Sequence, residues 1–474
     1  MRQFPLEGLD IAPGRVVEWR LRARGVADGS RTEESGRRAS FNQDKHFSVV
    51  EEARKANDPF ASWLALTFEV GGTLDRGALE SAFLFFARRH EVLRCEFRRL
   101  AGDLACAALE PEDIALEALE IGEFDSTKEL RAFMADSFTK SIDTLAWPLF
   151  MMGAVVREES STVYLAFDHI VSDGMSMSNV VYDIQNAYAA FARGEEAALP
   201  EAGSYLDFAH EQSRRYGSIG ADDTRLDYWK SFIASNGEFF PRFPLELGVE
   251  SGRMYPTVNE ADRLLDARET EELEARCLAA GGKVFMGVLA AVAVSLRQAG
   301  GPGVYRGFMP VSERGRGPWK HSVGWFVNTM PIEFSVAEDK DFEEIMAGVR
   351  SGFTEMMRHI DVPFVRAWEL LAPHHFALRS WPFPVNFFSY IDMRKCPGSE
   401  NFEEWRPASH VWSSRANGTC SWYQRNFRGL FMNSIFVDTP EARRTMGEFQ
   451  GALRETLLEL SRSGALTKNT GTVG

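Results

Sequence analysis

Basic residues are in short supply in this sequence: 53 Lys and Arg face 68 Asp and Glu, leaving a formal charge of −15. A field of that sign repels a phosphate backbone, so nucleic acid is not expected as a partner, although a local basic patch can still receive a phosphate-bearing substrate. Cysteine is sparse too. Cys95, Cys106, Cys277, Cys396 and Cys420 are scattered, odd in number and form no Cys-x-x-Cys pair, which argues against a zinc ribbon or a thioredoxin-type motif and for reduced thiols in the cytoplasm. Long apolar runs are lacking. The longest, Val284 to Leu296, is flanked by Lys283 and Arg297 and falls short of the ~20 residues that span a bilayer. The opening Met1-Arg2-Gln3-Phe4-Pro5 has no apolar core of the signal-peptide kind, so a cytoplasmic protein, not integral to a membrane, is expected. His46, His210, His321, His359, His374, His375 and His410 show no His-Glu-x-x-His spacing, and adjacent residues such as His374-His375 rarely chelate together, so no metal site is expected. There is no internal repeat and no low-complexity tract.

What is present is ordinary for a globular chain of 474 residues: 45% hydrophobic and 26% charged. Such a chain buries substantial cores without a disulfide or metal staple. Arg15–Ala23 and Leu64–Val70 read as strands, Val26–Ser40 as a mobile loop, and Asp75 as the cap of a helix from Leu79 to Arg89. Thr162–Phe167 alternates, with Val163, Leu165 and Phe167 on one side and Thr162, Tyr164 and Ala166 on the other, as a strand requires. Beyond Gly174 the period changes. Val180, Ile184, Tyr188 and Phe191 line one face of a helix that Gly194 stops. Ala267–Ala280 and Val284–Gln298 read as helices, the second apolar nearly all round and therefore buried, followed by a strand from Gly303 to Val311. Thr439-Pro440 is a start signal for a last helix, and the tail from Ala465 is expected to be disordered. Strands alternate with helices in both halves, which predicts an α/β (α+β sandwich) architecture with two domains, 1–200 and 201–474.

The candidate chemistry sits in His169-Ile170-Val171-Ser172-Asp173-Gly174, where a strand hands over to a helix. A neutral imidazole accepts a proton from a hydroxyl or amine near neutral pH, provided a rigid element presents it. Asp173 is near enough to fix the loop, and Gly174 lets the chain turn. In isolation the pattern is weak, and a loop histidine bonded to a nearby aspartate is its ordinary reading.

Other segments change that weighting. Asn42-Gln43, Arg89-His90-Glu91-Val92-Leu93-Arg94, Tyr205-Leu206-Asp207-Phe208, Tyr228-Trp229-Lys230, Pro310-Val311-Ser312-Glu313-Arg314, Val323-Gly324-Trp325-Phe326-Val327-Asn328-Thr329-Met330-Pro331, Pro363-Phe364 and Pro384-Val385-Asn386-Phe387-Phe388 occur in order. Together they resemble the condensation domains of nonribosomal peptide synthesis over roughly residues 40 to 460. Glu201–Phe208, Asn236–Leu245, Pro13-Gly14-Arg15 and Trp19 resemble, within that superfamily, the actinobacterial polyketide-associated acyltransferases.

The resemblance implies two chloramphenicol-acetyltransferase-like lobes in a V-shaped pseudo-dimer with a central tunnel. It implies direct acyl transfer from a thioester, either acyl-CoA or a phosphopantetheine arm on an acyl or peptidyl carrier protein, to a small-molecule alcohol. His169 would be the general base. Asp173, Gly174 and Arg314 would be structural, with Asp173 paired to Arg314 and not Arg316. Trp325, Asn328 and Ser172 would be tunnel candidates, and backbone amides near Gly174 would steady the oxyanion. His90 and Arg94 would organise the first lobe. No bound cofactor or metal is implied, and a monomer is expected. Asp168 stands where the family commonly has the first of two histidines, and Met175 where peptide-forming members carry Trp. Both departures point to a hydroxyl acceptor. Amide formation with an amine acceptor and a non-catalytic carrier-binding module remain as alternatives.

Overall fold

The computed structural model describes residues 1–24, 36–58, 61–250, 252–376, 385–412 and 415–463. The chain divides into two compact units: Met1–Ile219 with Ser312–Val327 and Lys395–Trp412, and Gly220–Val311 with Asn328–Arg394 and Ser413–Gly474. A single cut at residue 200 does not describe this division, because the first unit takes back two later segments.

The first unit is built on a seven-stranded sheet, in the order Arg2–Gln3, Ala408–Val411, Trp63–Gly71, Ser160–Asp168, Phe150–Val156, Gly14–Ala23, Ile114–Phe124. The edge pair Arg2–Gln3 and Ala408–Val411 is parallel, and the other neighbours are antiparallel. Ser160–Asp168 is the fourth strand of seven and is buried on both faces. Its alternation sorts two apolar layers. Tyr164 and Ala166 share a core with Leu130, Met134 and Phe138 of the helix Thr127–Ser141. Phe167 on the opposite side meets Phe86 of the helix Arg76–Arg89 at 6.2 Å between rings. Asp75 caps that helix by accepting from the Ala78 amide at 3.0 Å. The helix Ser176–Ala192 packs beside it and ends before Gly194, whose φ of +72° is the left-handed conformation glycine permits.

Most local expectations hold: the strands Gly14–Ala23 and Trp63–Gly71 and the helices Ala267–Ala279, Val284–Gln298 and Pro440–Ser463 form where the patterns place them. The loop expected over Val26–Ser40 is corrected at its C-terminal end. Arg37–Arg38 pairs with Ala105 and Cys106, and Ser40 starts a helix, while residues 25–35 lie outside the described residues, as does the tail from Ala465.

The second unit carries a five-stranded sheet, Ser389–Asp392, Thr419–Asn426, Gly429–Val437, Tyr255–Asp266, Arg415–Ala416. The long helix Pro440–Ser463 packs on both Ala267–Ala279 and Val284–Gln298. Among the described residues no single helix is long and apolar enough to cross a membrane; Ala267–Ala279 and Val284–Gln298 satisfy length and composition only as a pair bent by 95°.

Candidate active site

The site is a single turn at the end of the fourth strand. His169–Val171 forms one turn of 3-10 helix, held by hydrogen bonds to the chain around it. The Asp168 amide donates to Leu149 O at 2.8 Å, and the His169 amide to Ser62 O at 2.9 Å. Asp168 Oδ1 accepts the Ile170 amide at 2.8 Å, Gln43 Nε2 donates to Ile170 O at 2.9 Å, and the Ser172 amide closes on His169 O at 3.3 Å. A turn tied to its surroundings by these bonds holds one conformation, which a positioned catalytic side chain needs.

The His169 ring is partly exposed and covered by Trp325, with ring centroids 4.0 Å apart at 41°. Its Nδ1 is buried without a partner on another residue. The nearest favourable backbone group is its own carbonyl, an arrangement that suits a proton on Nδ1 and leaves the Nε2 lone pair available. Burial, and then the nearby His46 charge, hold this imidazole below its ordinary value; its own carbonyl, Asp168 and Asp173 oppose them.

Two buried aspartates flank the turn. Asp173 Oδ2 accepts from Arg314 Nη1 at 2.7 Å and from the Phe326 amide at 3.0 Å, while Oδ1 accepts from the Ser176 amide at 2.8 Å and the Ser176 hydroxyl at 2.9 Å. Asp173 thereby accepts the first amide of the helix Ser176–Ala192, at an end where a negative charge is favoured. Arg314 also donates to Gly324 O at 3.1 Å and lies 4.7 Å over the Phe326 ring. Gly324, at φ +152°, leaves no room for a side chain, since a Cβ would lie 2.3 Å from the Tyr205 ring. The ion pair thus ties the segment Ser312–Val327, which carries Trp325, to the His169 turn. A second tie lies further along the same helix: His90 Nε2 donates to Asp183 at 2.7 Å while its Nδ1 accepts the Val323 amide at 3.3 Å. Burial dominates at His90 and lowers its pKa.

Asp168 has different company. Its Oδ2 accepts from Ser62 Oγ at 3.0 Å and Thr144 Oγ1 at 2.6 Å, and its Oδ1 lies 3.2 Å from His46 Nε2. Burial opposes the charged form here, but the bonds to His46, Thr144 and the Ile170 amide prevail and hold this carboxyl below the ordinary carboxylate value.

The model of the condensation domain matches residues 55–387, more than half of the sequence. The chain belongs to the condensation-domain family. The 2'-acyl-2-O-sulfo-trehalose (hydroxy)phthioceranyltransferase PapA1 of Mycobacterium tuberculosis is 27% identical over 463 residues, covering 96% of this chain and 88% of that protein. The acyltransferase PapA3 of the same species is 25% identical over 470 residues, covering 96% of each. The solved structure of PapA2 acyl transferase superposes with a TM-score of 0.84 at 21% identity, covering 98% of this chain and all of that one. This condensation-domain protein has an α/β fold and is an acyltransferase.

In this condensation-domain chain, Asp173, Arg314, Trp325 and Ser172 all lie around the His169 turn. Ser172 is buried, and its hydroxyl donates to Asp168 O at 3.0 Å, so it holds the loop. Gly174 is exposed in the turn before the helix. Arg316 pairs with Glu313 at 3.0 Å. Arg94 donates to Leu109 O. Asn328 belongs to the second unit, where Nδ2 donates to Ile360 O at 2.7 Å and Val362 O at 3.0 Å and Oδ1 accepts the Phe364 amide at 2.8 Å. Both its N–H donors are committed to backbone. His46, Ser62 and Thr144 are the residues that sequence reasoning missed. One signal existed: Ser40-Phe41-Asn42-Gln43 is a capping box that opens the helix Phe41–Lys55 and puts His46 one turn beyond Gln43. Among the described residues no group of three or more His, Cys, Asp and Glu is arranged to hold a metal.

Proposed function

We propose that the enzyme moves an acyl group from a thioester to a hydroxyl acceptor by direct attack, with His169 as the general base. The observation that carries this reading is the His169 ring: partly open, unpartnered through Nδ1, lowered in pKa, and fixed between two buried aspartates. A depressed pKa keeps the imidazole neutral, and so able to accept a proton, over the whole neutral range.

In the step itself the acceptor O–H proton passes to His169 Nε2 as its oxygen forms a bond to the thioester carbonyl carbon. Amides at the Gly174 turn, close to the N-terminus of helix Ser176–Ala192, are the groups assigned to the developing oxyanion. Collapse breaks the carbon–sulfur bond, and the proton on His169 goes to the departing sulfur. No acyl-enzyme forms, and no metal or redox step is called for. Alignment of donor and acceptor supplies much of the rate. The donor is acyl-CoA or an acyl carrier protein, and a cytoplasmic location fits five cysteines that are all buried free thiols.

The acceptor class is tested by mass spectrometry of products from a panel of acyl-CoAs offered trehalose 2-sulfate, a simple long-chain alcohol or a long-chain amine. Sulfated trehalose is the first choice because PapA1 is named for acting on such a sugar. Ester products are expected. Amide products alone would replace this reading with amide synthesis.

A further inference from the structure

His46 has no part in the proton transfer just described, yet it meets His169 by two routes. Its Nε2 lies 3.2 Å from Asp168 Oδ1 and 3.1 Å from Ser62 Oγ. That same Oδ1 accepts the Ile170 amide at 2.8 Å and so shapes the turn that carries His169. On its other side the His46 ring meets Trp325 edge-on at 5.8 Å, and Trp325 lies on His169 at 4.0 Å. The side chains of His46 and Asp168 are 12% and 2% exposed, so salt screens their interaction little.

We propose that His46 is a positioning residue for acyl transfer, holding the His169 turn through Asp168 and the His169 ring through Trp325. The inference rests on His169 being the base. An electrostatic consequence follows, because the two imidazoles are 6.4 Å apart and the His46 charge opposes a second charge on His169. Among the described residues, charged groups stand on the elements around His46 as follows. Asp168 and His169 come from the strand end and the turn. On its own helix, Asp44 and Glu51 are paired with Arg99 of the strand Cys95–Leu100, and Arg54 with Asp143. The strand Asp103–Ala108 brings Asp103, paired with Arg38. From the helix Tyr205–Tyr216 the contacts are the neutral Tyr205 and Gln212, while Asp207 pairs with Arg37 and Glu211 with Arg215.

Histidine-ring NMR titration of the full chain, with the His169 signal assigned by His169→Asn, reads this coupling without any substrate. His46→Gln keeps an N–H donor for Asp168 and removes the charge; His46→Ala removes both. The His169 titration is expected to move up by roughly two pH units in either variant, from Coulomb's law at an effective dielectric constant of ~20 over the 6.4 Å between the rings. In thiol release from palmitoyl-CoA with trehalose 2-sulfate, kcat is expected to fall about 10-fold in His46→Gln and about 100-fold in His46→Ala, with donor KM within about 2-fold. A fall in kcat without a shift at His169 marks a packing role and overturns the proposal, as does a shift without a fall. If His169→Asn is inactive and the His46 variants match the wild type in both readouts, only the His46 inference fails. Should His169→Asn keep its turnover, the general-base reading fails, and the titration still decides the coupling.

Discussion

The two aspartates beside His169 are equally buried and are neutralised by opposite strategies. Asp173 has a permanent cation, Arg314, whose guanidinium also binds the backbone of the segment Ser312–Val327. Asp168 has two hydroxyls, one amide and an imidazole. The first arrangement is a clamp between distant parts of the chain, and losing one partner strands a buried charge. The second spreads the charge over several modest donors, so no single loss is ruinous. A rigid clamp on one side and an adjustable polar nest on the other both serve to hold one imidazole still.

That contrast can be broken most severely at Arg314. Arg314→Ala leaves Asp173 with Ser176 and the Phe326 amide alone, and should cost about 3–5 kcal/mol in urea unfolding, the usual penalty for stranding a buried charge. A loss below 1 kcal/mol would show that Asp173 is not clamped as described.

Acid probes the same unit differently. The Asp168 carboxyl lies below its unfolded value of 3.8, so its contribution is present above that pH and is lost only as pH falls through the folded value. Histidine loss comes first. His410, buried on the strand Ala408–Val411, is pushed down to about 4 by burial. Folding therefore disfavours its protonation, and stability should fall as pH drops from 6.5 toward 4, by about 3 kcal/mol at most. His410→Gln should flatten the profile of unfolding free energy in that window; an unchanged slope would contradict the assignment.

On the polar side, Asp168→Asn keeps the shape of the site and should cost only about 1–2 kcal/mol, since the lost charge had several weak partners. A cost equal to that of Arg314→Ala would erase the distinction between clamp and nest. The smallest effect is expected at Ser172→Ala. One hydroxyl bond to Asp168 O is lost, about 1 kcal/mol or less, with turnover near wild type. A large fall in turnover would instead put Ser172 in contact with substrate.

Much of this was legible along the sequence because it is local. The alternation of Thr162–Phe167, the Asp75 cap and the Thr439-Pro440 start each encode their own element within a few residues, and Thr439 Oγ1 does accept the Ala442 amide at 3.0 Å. The motif order also led to His169 and to Arg314. What stayed hidden is long-range. His46 meets Asp168 across 122 positions of sequence, and no periodicity announces that contact. Nor does composition reveal that Lys395–Trp412 returns to the first unit, where Ala408–Val411 adds a strand beside Trp63–Gly71. Asn328 was a tunnel candidate by resemblance alone, and sequence does not show that its amide bonds the backbone at Ile360, Val362 and Phe364.

The general-base role of His169 is tested most directly by steady-state turnover of His169→Asn beside the wild type, with thermal unfolding confirming that both are folded. The account predicts a loss of about 100- to 10,000-fold in kcat with an unfolding temperature near that of the wild type. Turnover within a few-fold of wild type in a folded His169→Asn protein would contradict it.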